Sequence, residues 1–103
     1  MWDNLELMPC KTKAVIGDST DPDIIDRATG EYDLVFIDGD HTYEGVLADY
    51  TNYGPMGRIV ALHDISQQPG SKSYGVTKLW GKIKGEDSVE IVRPGSRKGI
   101  GIC

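Results

Sequence analysis

Two short apolar runs stand out along the chain because neither alternates with polar residues. The first covers residues 33–37 and the second covers residues 58–62. Runs of this length are typical of strands that are covered on both faces, as in a parallel sheet. About 20 residues of helical character separate them, which is long enough for a right-handed crossover. The pattern therefore predicts two neighbouring parallel strands.

Capping residues and apolar positions at steps of three or four residues predict three helices. They lie between Asp21 and Gly30, between Thr42 and Gly54, and between Val76 and Gly85. Shorter apolar segments predict further strands at residues 13–16, 89–92 and 99–102. This order of elements predicts an α/β fold whose sheet is parallel at first and antiparallel at its end.

Acidic residues and histidines follow both of the long apolar runs directly. Asp38, Asp40 and His41 follow the first run, and His63 and Asp64 follow the second. Open parallel sheets bind ligands beyond the carboxyl ends of their strands. Since neighbouring strands lie ~4.8 Å apart, the carboxylates of Asp38 and Asp64 are expected to share one crevice. Two such carboxylates repel each other unless a proton or a cation such as Mg²⁺ or Ca²⁺ intervenes.

Each of these side chains also has a structural interpretation. Asp38 and Asp40 can hold a turn by accepting hydrogen bonds from backbone amides, and for Asp40 this is the favoured role. His41 fits three roles: a general base, a metal ligand, or a hydrogen-bond partner of Asp64. His63 and Asp64 are neighbours on one strand, so their side chains point to opposite faces unless the backbone bends.

The segments Phe36–Val46, Asp49-Tyr50 and Gly57–Asp64 together resemble class I S-adenosylmethionine-dependent methyltransferases. The similarity is to the branch related to catechol O-methyltransferase and to cephalosporin-hydroxylase-type proteins. It extends from Ala14 to Ile102. The resemblance implies a partial Rossmann-like methyltransferase sheet with three layers, mostly parallel and with an antiparallel C-terminal strand.

The resemblance also implies a chemistry for the strand ends. It implies transfer of a methyl group from S-adenosylmethionine to a small hydroxyl-bearing substrate, with His41 and Asp38 as catalytic residues. A divalent metal held by Asp38, Asp64 and His63 would assist the reaction.

Gly17, Asp18 and Ser19 resemble the loop that lies beside the adenine in these enzymes, although for Asp18 and Ser19 an ordinary turn is the favoured interpretation. The glycine-rich turn that holds the cofactor in these enzymes is absent, and no G-x-G-x-x-G pattern occurs. The chain thus resembles the C-terminal half of a methyltransferase. The alternative is a non-catalytic interaction or accessory module with a reduced methyltransferase fold.

Composition narrows the function classes. The 103 residues are expected to form one truncated domain. A net charge of −5 argues against nucleic-acid binding. No apolar run reaches the ~18 residues of a membrane span, and no signal peptide is recognised, so a cytoplasmic location is expected. The two cysteines, Cys10 and Cys103, have no metal-ligand spacing, and a disulfide between them stays open.

The distribution of charge and the order of the strands both suggest how the chain could interact with a ligand or with another chain. Acidic residues concentrate between Asp18 and Asp64, whereas basic residues concentrate later, with Arg93 and Lys98 near the end. This asymmetry suits either an anionic ligand or partner, or an ordinary solvated surface. Unless the strand at residues 13–16 pairs with the strand at residues 33–37, the sheet keeps an open edge. Such edges invite pairing with another chain, so a homodimer covering this edge is expected.

Overall fold

The structure is a computed structural model that describes residues 13–95 and 98–103. Its elements follow one another as α1 (Pro22–Ala28), β1 (Tyr32–Ile37), α2 (Tyr43–Tyr53), β2 (Gly57–His63), α3 (Tyr74–Ile83), β3 (Val89–Ile91) and β4 (Ile100–Ile102). The fold is mixed α/β, and all three predicted helices and four of the five predicted strands are present. Cys10, and with it the disulfide considered from the sequence, lies outside the described residues.

Side-chain caps fix the start of the first two helices, as predicted. Asp21 accepts a hydrogen bond from the backbone N–H of Asp23 at 2.9 Å, with Pro22 at the first helical position. Thr42 accepts from the N–H of Gly45 at 3.1 Å. Each of these caps satisfies a backbone donor that has no partner within the helix.

The four strands form one sheet in the order β1-β2-β4-β3. β1 and β2 pair in parallel, whereas β4 runs antiparallel to both β2 and β3. Three strands therefore point the same way, and the C-terminal strand opposes them as predicted.

Helices α2 and α3 cover one face of this sheet and form the core with it. Leu62 is fully buried at the centre of β2, and Val46 of α2 and Trp80 of α3 are 1 % and 2 % exposed. Burying a side chain of this size stabilises the fold by about 1.5–3 kcal/mol. The indole ring of Trp80 lies directly against the backbone of Gly101, where a glycine leaves room for it. Trp80 is thus a core residue.

The prediction of a strand at residues 13–16 is wrong. These residues lie outside any strand, and Ile16 is 90 % exposed. A strand needs a ladder partner, and here the chain is tied to α1 instead, because Lys13 Nζ donates to the backbone carbonyl of Arg27 at 3.0 Å. Within the described residues, the outer edge of β1 consequently has no strand beside it.

The predicted three-layer arrangement is not reached by the part of the chain that the structure describes. Both helices that pack on the sheet lie on the same face, and large apolar side chains on the other face are about half exposed. Two layers, one of helices and one sheet, are therefore present. Among residues 13–95 and 98–103, none of the helices has the length and apolar character needed to cross a membrane.

The close contact between Trp80 and Gly101 predicts that a larger residue at position 101 destabilises the fold. A Cβ added at Gly101 would lie 2.7 Å from the Trp80 ring, which is closer than real contacts allow. We expect Gly101→Ala to lower the free energy of unfolding by about 1–3 kcal/mol, because the buried ring has little room to move. Urea unfolding followed by circular dichroism measures the change.

Gly81→Ala is the matched control for this experiment. Gly81 lies in α3 with no atom within 4 Å of an added Cβ, so alanine is expected to stabilise the helix by up to about 1 kcal/mol. Equal effects of the two substitutions would contradict the packing argument.

Candidate functional site

The ends of β1 and β2 place the predicted site residues side by side. Ile37 pairs with Leu62 in the parallel register, so Asp38 and His63 follow at the same level of the sheet. His63 Nδ1 lies 3.4 Å from Asp38 Oδ1. The crevice expected between the two strand ends is therefore present.

A bend of the backbone brings Asp64 into the same crevice. Asp64 has a φ of 69°, in the left-handed region that few residues other than glycine adopt, although aspartate tolerates it. Its N–H donates to the carbonyl of Gly99 at 2.8 Å, and its own carbonyl accepts from the Thr77 hydroxyl at 3.0 Å. The bend lets His63 and Asp64 face each other, with His63 Nδ1 3.3 Å from Asp64 Oδ1, which ideal strand geometry forbids.

His41 lies between the two carboxylates. Its Nε2 is 3.3 Å from Asp38 Oδ1, and its Nδ1 is 3.4 Å from Asp64 Oδ2. The Nδ1 atom also lies 2.8 Å from the hydroxyl oxygen of Ser73. A neutral ring protonated at Nε2 satisfies this arrangement, because it donates to Asp38 and accepts from Ser73.

Ser73 is a site residue that the sequence analysis missed. It is the N-cap of α3, yet its hydroxyl makes no capping bond and contacts His41 instead. The approach depends on Gly75, where an added Cβ would lie 2.5 Å from the His41 carbonyl oxygen. The signal was a serine two residues before a glycine at the start of a helical pattern. A glycine there indicates a close approach only once the neighbouring backbone is known.

The crevice fits a divalent cation. One ligand atom from each of Asp38, His41 and Asp64 lies within 4.8 Å of the others. Asp64 is 6 % exposed. Its Oδ1 atom and Nδ1 of His63 are buried and lie 3.3 Å apart, yet neither makes a hydrogen bond to the other or to any other described residue. A buried polar atom without a partner destabilises the fold unless another group satisfies it. Carboxylate oxygens and imidazole nitrogens are the donors that a metal would require.

Asp40, in contrast, has the structural role that was favoured for it. It accepts from the N–H of Thr42 at 2.8 Å, and this hydrogen bond lowers the pKa of the Asp40 carboxyl. The side chain lies over Gly45, where a Cβ would collide with it. Asp40 therefore holds the turn that leads from β1 into α2.

The Gly17–Ser19 loop lies beside the site but already has internal partners. Asp18 accepts from the backbone N–H and the hydroxyl of Thr20, at 2.9 and 2.7 Å, and these bonds lower the pKa of its carboxyl. Ser19 donates to Asp49 Oδ1 at 2.6 Å. Tyr53 donates to the carbonyl of Ser19 at 2.8 Å, and burial, followed by the charges of Asp49 and Asp18, raises the pKa of Tyr53.

Asp49 is the second residue that the sequence analysis missed. It is 6 % exposed and lies on the inward side of α2, three residues after Val46. A charge at core spacing in a helix was the available signal. Asp49, Ser19 and Asp38 line one cleft of about 260 Å³ at the edge of β1. The Gly17–Ser19 loop therefore shares a surface with the cluster of Asp38, His41 and Asp64. A larger cleft of about 490 Å³ lies at the opposite ends of the strands, away from this cluster.

The chain also matches a known protein family over the segment that contains these residues. A family model described as a methyltransferase domain matches residues 5–65, more than half of the chain. The chain belongs to this methyltransferase domain family. No curated protein and no solved structure gives a significant match. The matched part of the methyltransferase domain contains Asp38, His41 and Asp64 and ends directly after them, before Ser73 and α3.

The contact between Ser19 and Asp49 predicts that the two residues are energetically coupled in the methyltransferase domain. A double-mutant cycle with Ser19→Ala and Asp49→Ala should give a coupling energy of about 1.5–3 kcal/mol, as for hydrogen bonds to charged groups. Urea unfolding of the four proteins measures it. Ser19→Ala combined with Asp33→Ala, at the other end of β1, should be additive, and the absence of coupling in the first cycle would contradict the contact.

Proposed function

We propose that this methyltransferase domain binds a divalent metal at Asp38, Asp64 and His63 and takes part in O-methyl transfer from S-adenosylmethionine to a small hydroxyl-bearing substrate, with His41 left free to accept a proton. The observation that supports the proposal is the convergence of carboxylates and imidazoles at adjacent strand ends, together with a buried Asp64 oxygen that accepts no hydrogen bond from the described residues. A purely structural crevice has little reason to gather these groups.

The role of the metal would be to lower the pKa of a substrate hydroxyl. Asp38 and Asp64 would hold it through their carboxylates, and His63 offers a further donor because its Nδ1 lies 3.4 Å from Asp38 Oδ1. The half-exposed Asp38 keeps one side of the crevice open, whereas the buried Asp64 closes the other.

The ligand atoms available in the crevice indicate which divalent metal it would bind best. Mg²⁺ and Ca²⁺, expected from the sequence, prefer oxygen ligands throughout. Here two imidazoles stand beside the two carboxylates. Carboxylates suit Mn²⁺ as well as Mg²⁺, and imidazoles suit transition metals. We infer that Mn²⁺ fits this mixed set better than Mg²⁺ or Ca²⁺.

His41 is the proposed proton acceptor. Asp38 and Ser73 contact its two ring nitrogens, at 3.3 and 2.8 Å, and thereby fix the orientation of the ring. A substrate hydroxyl that replaces Ser73 as the partner of Nδ1 would deliver its proton to that atom. The cofactor is proposed to lie in the cleft of about 260 Å³ between the Gly17–Ser19 loop and Asp38.

A non-catalytic accessory module is the second candidate, and one observation favours it. The side chains of Asp18 and Ser19, proposed to contact the cofactor, are already bonded to Thr20 and Asp49. A cofactor would have to compete with these bonds or use the backbone of the loop. The accessory module would keep the fold without binding S-adenosylmethionine.

Titration calorimetry with Mn²⁺ and with Mg²⁺ tests the metal site. We expect Mn²⁺ to bind more tightly than Mg²⁺, and Asp38→Ala to weaken Mn²⁺ binding by more than ~10-fold, since it removes a ligand. Asp33→Ala is the matched control, because this carboxylate lies on the same strand with its side chain 92 % exposed. Equal Mn²⁺ affinity in the two variants would contradict the assignment of Asp38.

S-adenosylmethionine titrated into the same samples separates the two candidate functions. Binding that strengthens with Mn²⁺ and is lost in Asp38→Ala would support metal-assisted transfer. No binding of S-adenosylmethionine by the folded chain, with or without metal, would favour the accessory module.

A further inference from the structure

Ser73, His41 and Asp38 form a chain of contacts of the kind that nucleophilic enzymes use. Ser73 Oγ lies 2.8 Å from Nδ1 of His41, and Nε2 of the same ring lies 3.3 Å from Oδ1 of Asp38. With the ring protonated at Nε2, the serine hydroxyl donates to Nδ1 and the ring donates to the carboxylate. A serine that donates to a neutral imidazole oriented by an acid is the arrangement that activates its oxygen as a nucleophile.

The hydroxyl of Ser73 is not used to hold the fold. Serine at the N-cap of a helix normally accepts a hydrogen bond from the N–H of the second or third helical residue, yet the side chain of Ser73 makes no capping bond. Its backbone is fixed in another way, because the N–H of Ser73 donates to the hydroxyl of Ser71 at 3.2 Å. The oxygen of Ser73 is therefore available for chemistry while the residue stays in place.

The start of α3 also supplies donors of the kind that acyl transfer requires. Attack by a serine on an ester carbonyl places a negative charge on the carbonyl oxygen, and backbone N–H groups stabilise that charge. Gly75 and Val76 are the second and third residues of α3, and the side chain of Ser73 does not cap their N–H groups. Because N–H groups at these positions point towards the N-cap residue, an oxyanion on a carbon attached to Ser73 Oγ would lie next to them.

The surroundings of His41 favour a small, uncharged substrate. The side chains of His41 and Asp38 are 31 % and 43 % exposed, so the crevice is open to solvent on this side. On the other side, Oδ2 of Asp64 lies 3.4 Å from Nδ1 of His41. Two carboxylates beside the ring stabilise the imidazolium that forms when His41 takes a proton, and they repel an anionic substrate. A small neutral ester satisfies both conditions.

We propose that Ser73 is a nucleophile, activated by His41, for the hydrolysis of small uncharged esters. Ser73 Oγ attacks the carbonyl carbon while Nδ1 of His41 takes the hydroxyl proton. The same proton then passes to the departing alkoxide, which leaves as an alcohol, and the acyl group stays on Ser73. Water that gives a proton to His41 cleaves this acyl ester, the carboxylic acid leaves, and the proton returns to Ser73 Oγ.

This activity goes beyond methyl transfer and uses neither a metal nor S-adenosylmethionine. His41 is the proton acceptor in both reactions, and its contact with Asp38 orients the ring in both. The difference is the hydroxyl that gives up its proton, which is that of Ser73 here and that of a bound substrate in methyl transfer. Removal of metal ions with EDTA therefore separates the two activities.

A fluorophosphonate probe, added to the 103-residue chain in EDTA and followed by peptide mass spectrometry, tests the nucleophile. Attack of Ser73 Oγ on phosphorus expels fluoride and leaves a phosphonate ester on Ser73. We expect labelling at Ser73, and we expect His41→Gln to slow it by ~100-fold or more, because the general base is lost. Ser66 lies earlier in the same loop and is likewise half-buried, so it is the internal control and should stay unlabelled.

Hydrolysis of p-nitrophenyl acetate in EDTA tests turnover. Absorbance measures the released p-nitrophenolate, and mass spectrometry measures the acetyl group on Ser73. We expect Ser73→Ala to lower the rate above the spontaneous reaction by ~100-fold or more. Ser66→Ala, the matched variant, should leave the rate unchanged. Circular dichroism confirms that each variant is folded.

Three results would overturn the proposal. Labelling that misses Ser73, or that reaches Ser66 equally, would show that His41 does not activate Ser73. Hydrolysis that persists in Ser73→Ala would show that another group attacks the ester. Hydrolysis that EDTA abolishes would show that a metal, and not the contact between Ser73 and His41, drives the reaction.

Discussion

The parallel pairing of β1 with β2 is the constraint on which the rest of the structure depends. Its register sets Ile37 beside Leu62 and so ends both strands at the same level. The side chains at those two ends, which belong to Asp38, His41, His63 and Asp64, are thereby gathered within a few ångströms of one another. The chemistry of the site comes from residues that are far apart in sequence and adjacent only because this ladder forms.

Two local features refine what the ladder provides. In an ideal strand the side chains of His63 and Asp64 would point to opposite faces of the sheet. The left-handed conformation of Asp64 instead turns its carboxylate towards His63. The missing side chain of Gly75 lets α3 approach the backbone of His41, and Ser73 then reaches the imidazole. Both features are locally unfavourable: Asp64 adopts a strained backbone conformation, and Gly75 lowers the stability of the helix in which it lies. Such choices persist where the surrounding structure, or a function, requires them.

The sequence predicted those parts that depend on local or repetitive signals. Caps at Asp21 and Thr42 fix helices by contacts within three residues, and the apolar runs fix β1 and β2 by burial. The prediction of a strand at residues 13–16 was wrong because a strand forms only by pairing with another strand, and no local pattern specifies that neighbour. Ser73 and Asp49 were missed for the same reason, since each acquires its contact through packing between elements.

Both faces of β1 are apolar, and this bears on the site at the end of the strand. Val35 and Ile37 pack towards the helices, while Leu34 and Phe36 point to the bare face. Strands of this composition are normally covered on both faces. Because β1 also ends in Asp38, whatever covers its second face stiffens the strand end that carries this proposed metal ligand. Covering the face of β1 that carries Leu34 and Phe36 and organising the crevice at its end are therefore expected to depend on each other.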